Sequence, residues 1–279
     1  MFRWLFGSRR SNDPVRDLEA LAAPHSMPAV HLAATDDASH SHLGGAPVLP
    51  DGFSWPSRNG APLAFIARLD LAELRRAVEL EWLPASGSLL FFYDVEHQPW
   101  GFDPADREGW AVVRLRGATG GSGDDFGCER DPSRAPLPRC GISFHPIRSL
   151  PSSERPAIAP LRLSNAEEDA YGALRDRPFG GKPQHQLGGY PSPVQADTME
   201  LECQLASHGL FCGDETGYGD PRVPELEAGA ADWRLLLQVD SDDDLGVMWG
   251  DLGRLYFWVR EDDARAGDFS GVWVVLQCS

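Results

Sequence analysis

The stretch "LGGAP" at Leu43 to Pro47 returns as "LGGYP" at Leu187 to Pro191, and the strand-like runs that follow it return as well. "FIARLD" (65–70) is echoed by "LLLQVD" (235–240), "GSLLFFYD" (87–94) by "GRLYFWVR" (253–260), and "GWAVVRL" (109–115) by "GVWVVLQ" (271–277). The order is the same in both halves, and the spacing of the three strand runs drifts only as changed loop lengths would make it drift. In the second half the glycine motif stands farther from its first strand, which implies an insertion, and the region 197–230 fits it. Chance produces any one such match; four in register point to an internal duplication. Strands of two related halves need a shared core, so the expected fold is α+β, largely β, with two β-rich halves packed as one pseudo-symmetric body. The corresponding division is an N-terminal tail and helix (1–25), a first half (26–150), a linker with a helix (151–182) and a second half (183–279), together one globular unit.

Local patterns fill in this frame. Asp13 and Pro14 open a helical pattern with Val15, Leu18 and Leu21 at threes, and a short strand follows around Ala29 to Leu32. Leu63 to Leu69 reads as a buried strand, and Asp70 caps a helix with Leu71, Leu74 and Val78 on one face. Runs 87–94 and 109–115 are further strands, and 117–140 is loop by composition. Ser164 and Glu167 form a capping box for a helix through about Arg175. Asp197 and Glu200 repeat that spacing ahead of Met199, Cys203 and Ala206, favouring a helix that stops before Gly209. Trp233 to Val239, Gly253 to Val259 and Val272 to Gln277 are the last strands.

Composition narrows the functional classes. With 42% apolar and 24% charged residues the chain reads as an ordinary globular protein, and no apolar run nears the roughly 20 residues of a membrane span. The net charge of −17 repels nucleic acid and anionic lipid and suits a basic partner, and no basic stripe with interleaved aromatics is present. Five cysteines, an odd number with no C-x-x-C pair, argue against a zinc ribbon or a complete disulfide framework and for reduced thiols in the cytosol. "MFRWLFGSRR" is too short and interrupted for a secretory signal; a frayed or packed terminus is expected, with weak peripheral membrane contact by residues 2–10 as the alternative.

"LGGAPVLPDGFSWP", "PLAFIARLDL", "LPASGSLLFFYD", "HQLGGYPSPVQ" and "DLGVMWGDLGRLYFWV", in that order, resemble the YwqG-like family of uncharacterised bacterial proteins. The likeness runs from about Leu43 to the C-terminus. It implies a mixed, largely β fold with an internal duplication, and it implies no activity, cofactor or catalytic residue. Some relatives look like neighbours of bacterial toxin systems, which makes an immunity or accessory role conceivable.

The candidate binding residues cluster in the repeated motif. The twin glycines Gly188 and Gly189 suit a turn needing positive φ, and their echo at Gly44 and Gly45 favours that structural reading over a phosphate cradle. "GGKPQ" (180–184) places proline where a P-loop needs Ser or Thr, and "GATGGSG" (117–123) has no strand–helix frame. His185 is the foremost single candidate for chemistry, because imidazole titrates near neutrality, and His42 stands near the first copy of the motif, so that both could line one cleft. Gln186, Tyr190 and Gln195 are specific to the second copy. Trp249 beside Asp251 in "MWGD" offers an aromatic platform with an acid for a cationic or peptide ligand, and Trp55 and Trp100 could add similar surfaces. "DSDDDLG" starts like a calcium loop at Asp240, Asp242 and Asp244, but Leu245 replaces the required glycine and Asp251 the final Glu, so a solvated turn is expected and no metal. No hydrolase elbow or zinc motif appears.

These features favour a non-catalytic module that binds a basic protein or peptide, without a cofactor, the sharpest version being an acidic immunity protein for a basic toxin. The alternative is an enzyme of unknown class using His185 with Asp251 or Glu200 in a Trp-lined pocket between the halves.

Overall fold

A computed structural model describes residues 16–117 and 137–279. Asp13, Pro14 and Val15, Cys128, the "GATGGSG" glycines beyond Gly117 and nearly all of the 117–140 loop lie outside the described residues. Twelve strands are described: β1 (Met27–Ala34), β2 (His42–Leu43), β3 (Ser57–Arg58), β4 (Ala61–Pro62), β5 (Ala64–Asp70), β6 (Ser88–Tyr93), β7 (Trp110–Leu115), β8 (Cys140–Ser149), β9 (Gln186–Leu187), β10 (Trp233–Asp240), β11 (Arg254–Arg260) and β12 (Trp273–Gln277). Seven α-helices accompany them among the described residues: α1 (Leu18–Ala22), α2 (Leu71–Ala77), α3 (Asn165–Asp176), α4 (Met199–Ser207), α5 (Glu215–Tyr218), α6 (Val223–Leu226) and α7 (Glu261–Ala266). All strands but β3 and β4 join one antiparallel sheet that nearly closes into a barrel, so the fold is largely β as the sequence predicts.

The sheet order is β12-β11-β10-β9-β1-β8-β2-β5-β6-β7. Outward from the central β1–β8 pair it reads the same way on both sides: a two-residue strand at the glycine motif, then the three echoed strands. The register repeats too. β5 carries its irregularity between Phe65 and Ala67, and β10 carries one between Leu235 and Leu237, the matching positions of "FIARLD" and "LLLQVD".

Alternation and aromatic content make β5, β6, β10 and β11 strands, and their inward residues fill the barrel. Phe91 of β6 meets Phe257 of β11 edge to face, with ring centroids 5.2 Å apart. The two edge strands are tied at the seam by indoles: Trp110 Nε1 donates to Val272 O at 2.9 Å, Trp273 Nε1 donates to Gly101 O at 2.8 Å, and the two indoles meet at 5.1 Å. Outside the barrel, Phe65 and Phe92 pack under the 44–56 loop, while α1 and α3 close a small cluster around Ile158 and Tyr171.

Three elements differ from the sequence reading. β8 is a ten-residue strand at the sheet centre that its sequence, with Pro146 inside it, does not advertise; β2 covers only Cys140 and Gly141, so Pro146 leaves no ladder bond unmade on that side. The α1 cap is Asp17, whose carboxylate accepts from Ala20 N at 3.0 Å. Thr198, not Asp197, occupies the N-cap position of α4, because Asp197 is drawn off by Arg155 Nε at 2.6 Å and Ser152 Oγ at 2.6 Å. By contrast, Asp70 caps α2 through Ala72 N and Glu73 N, and Glu167 Oε2 accepts from Ser164 N at 2.9 Å to start α3, both as expected.

Candidate functional site

A cavity of about 410 Å³ opens between the β3–β4 hairpin and the turn that follows β6. The hairpin is built on Asn59–Gly60, whose φ values of 51° and 82° give the tight turn that holds Arg58 over the cavity. Asp94 follows the last residue of β6. Its Oδ1 accepts from Glu96 N at 3.2 Å and His97 N at 3.1 Å, which folds 94–98 into a turn. Its Oδ2 accepts from His97 Nδ1 at 3.0 Å and Arg58 Nη1 at 3.3 Å. A carboxylate can only accept, so the His97 proton in this pair sits on Nδ1 and the lone pair of the neutral ring is on Nε2.

Asp106 comes from the 3-10 helix Pro104–Gly109, capped by Asp103 through Ala105 N at 2.8 Å. Asp106 Oδ1 accepts from Arg58 Nη2 at 3.4 Å and Oδ2 from Gly101 N at 3.1 Å. Gly101 has φ 81°, and a Cβ there would lie 1.7 Å from Val274 O, so only glycine lets this loop press against β12. The two acids on the one guanidinium shift in opposite directions. Burial pushes Asp94 up, but backbone and ring donors from His97, with Arg58, outweigh it and hold the carboxyl low. Asp106, with only Gly101 N and Arg58 to oppose its burial, is raised. Beneath the cavity, Tyr93 OH donates to Pro99 O at 2.7 Å and its ring meets Trp249 edge-on at 5.7 Å.

The residues singled out in sequence sit elsewhere and are engaged in structure. His185 is buried: its Nδ1 accepts from Asp240 N at 3.1 Å, which leaves the proton on Nε2 to donate to Asp242 Oδ2 at 3.0 Å. The ring is therefore bonded to neither Asp251 nor Glu200; Glu200 Oε1 accepts from Arg155 Nη2 at 2.8 Å. Gln186 Nε2 donates to Gly188 O and Tyr190 O, both at 2.7 Å. Gly188 and Gly189 both have φ 68°, and the Tyr190 ring lies under the Arg155 guanidinium at 4.9 Å. Gln195 Nε2 donates to Cys278 O at 2.9 Å.

His42 Nδ1 donates to Gly44 O at 2.7 Å, and burial lowers its pKa to about 4. β2, which carries His42, is separated from β9 by β1 and β8, three strand spacings or about 14 Å, so the motif histidines do not share a cleft. Trp249 is buried, with Nε1 donating to Asp240 O at 3.2 Å, and is core rather than a platform; Asp251 is exposed in the β10–β11 loop. Asp242, in the acidic run, closes a turn by accepting from Asp244 N at 2.9 Å. Trp55 stands behind a cavity wall: its Nε1 donates to Leu63 O at 2.8 Å, and Leu63 lines the cavity.

Arg58, Asp94, His97 and Asp106 belong to none of the motifs picked out in the sequence as binding candidates. The readable signals were the Asn59–Gly60 hairpin turn and an Asp with a His three residues on, directly after a strand. Residues 41–278 match the model of one family, described as a domain of unknown function (DUF1963), a span that contains the motifs carrying the YwqG-like resemblance. No curated protein matches the chain.

Proposed function

Because the chain belongs to the DUF1963 family, a domain of unknown function, we propose its role from its own geometry: a non-catalytic module that binds a basic protein or peptide through the cavity beside Arg58. One observation carries this reading. Among the described residues lining the cavity, the carboxylates of Asp94 and Asp106 close on one guanidinium, that of Arg58. Such walls favour a cation, and the net charge of −17 steers a basic partner toward them. Among the described residues lining the cavity none carries a hydroxyl, thiol or lysine amine for the Asp94–His97 pair to activate.

A toxin-neutralising role is the sharpest form of this reading, supported by the acidity and by the resemblance. A cytosolic location agrees with the unpaired thiols of Cys140, Cys203, Cys212 and Cys278. The mirrored strand order and matched irregularities support descent of the two halves from one duplicated unit.

Calorimetric titration with an arginine-containing peptide tests the cavity. The D106N variant should bind at least about tenfold more weakly, the loss expected for a charge-assisted pair, while D262N on the exposed side of α7, an equal change in net charge, should bind as the wild type does. Equal losses in the two variants would reduce the attraction to bulk charge and overturn the site.

A further inference from the structure

Gln98 joins the cavity to exposed apolar surface. His97 and Pro99 line the cavity, and between them Gln98 adopts a left-handed backbone with φ 43°. Its side chain crosses to the β10–β11 loop, where Nε2 donates to Met248 O at 3.2 Å and Oε1 accepts from Gly250 N at 2.8 Å. One arm ends on Met248, which is 48% exposed, and Trp100, two residues along the chain from Gln98, is 39% exposed. The four residues 97–100 span at most about 10 Å, the reach of a tripeptide.

We propose that the occupant is a peptide segment with a basic side chain and, one or two residues away, a large apolar one. The basic group enters the cavity toward Asp94 and Asp106, and the apolar side chain rests on Met248 and Trp100. Charge complementarity chooses the first element, since among the described lining residues Asp94 and Asp106 stand against the one guanidinium of Arg58. The exposed thioether and the exposed indole choose the second, since both gain by covering aliphatic surface. This inference rests on the cation-binding reading of the cavity.

Three capped probes separate the two ideas: acetyl-Arg-Gly-Leu-amide, acetyl-Arg-Gly-Gly-amide and acetyl-Gly-Gly-Leu-amide, titrated by calorimetry into the full chain. The first should bind about fivefold or more tightly than the second, as partial burial of a leucine predicts, and the third should not bind measurably. The M248S variant should erase the leucine increment and leave the affinity for acetyl-Arg-Gly-Gly-amide as it was. Equal binding of the two arginine probes, or an equal loss of both in M248S, overturns the inference and leaves the cavity reading standing. Failure of both arginine probes to bind removes the cavity reading and this inference with it.

Discussion

At position 185 both ring nitrogens work inside the fold, one accepting from Asp240 N and one donating to Asp242. Ser41 performs the same task in the first half: its Oγ accepts from Asp70 N at 2.9 Å and donates to Glu73 Oε2 at 2.7 Å. His42 and Gln186 form the other matched pair, each donating to the carbonyl two residues on at 2.7 Å. The motif in "SHLGG" and "HQLGG" therefore aligns by position, whereas the eye pairs the histidines by type. Pairing by position was available in the sequence, but whether a polar side chain turns toward a ligand or toward its own backbone was not. H185A should cost about 1–3 kcal/mol in urea unfolding, the range for leaving buried polar partners unmade. The same variant should bind the arginine peptide as the wild type does. A variant of unchanged stability with lost binding would return His185 to the functional site.

Among the elements, α4 holds a carboxyl that no pattern marks. Glu202 is buried; its Oε1 accepts from Thr198 Oγ1 at 2.7 Å, and its Oε2 has no partner among the described residues. Burial, with Glu200 and Asp197 nearby, raises its pKa to about 7 against a weaker pull from Thr198. The unfolded chain releases this proton near pH 4.5, so between 4.5 and 7 the folded state binds more protons. Stability from this group is therefore complete below about 4.5 and lost as the pH rises through 7, on the order of 3 kcal/mol. E202Q should flatten the fall in unfolding free energy between pH 5 and pH 8; an unchanged slope would place the titration elsewhere. Glu202 stayed hidden because helical spacing reports an apolar stripe and is silent about which acid is folded under it. β8 stayed hidden for a related reason: its sequence lacks clean alternation, and its place comes from β1, with which it pairs from Ile142 to Ser149. Elements that owe their state to a distant partner are the ones that local pattern misses.

Across the whole molecule, the repeat was the most legible feature and the cavity the least. The echoed strands occupy mirrored places in one sheet, while the cavity is built from connections in which the halves differ. The first half has a hairpin between β2 and β5 and a long turn between β6 and β7; the second has α4 to α6 and then α7 in those places. Repetition in a sequence thus exposes the scaffold and conceals what is grafted onto it. The scaffold makes its own prediction through Phe91 and Phe257, matched residues of "GSLLFFYD" and "GRLYFWVR" that meet inside the barrel at 5.2 Å. F91L and F257L each replace half of an edge-to-face pair, and the double variant should show a coupling of about 0.5–1.5 kcal/mol. Because each ring packs on the opposite half, either substitution should move one and the same cooperative urea transition, seen alike by tryptophan fluorescence and far-ultraviolet dichroism. Two separated transitions, only one of them shifted by F91L, would mean that the halves fold as independent units and that the shared core does not couple them.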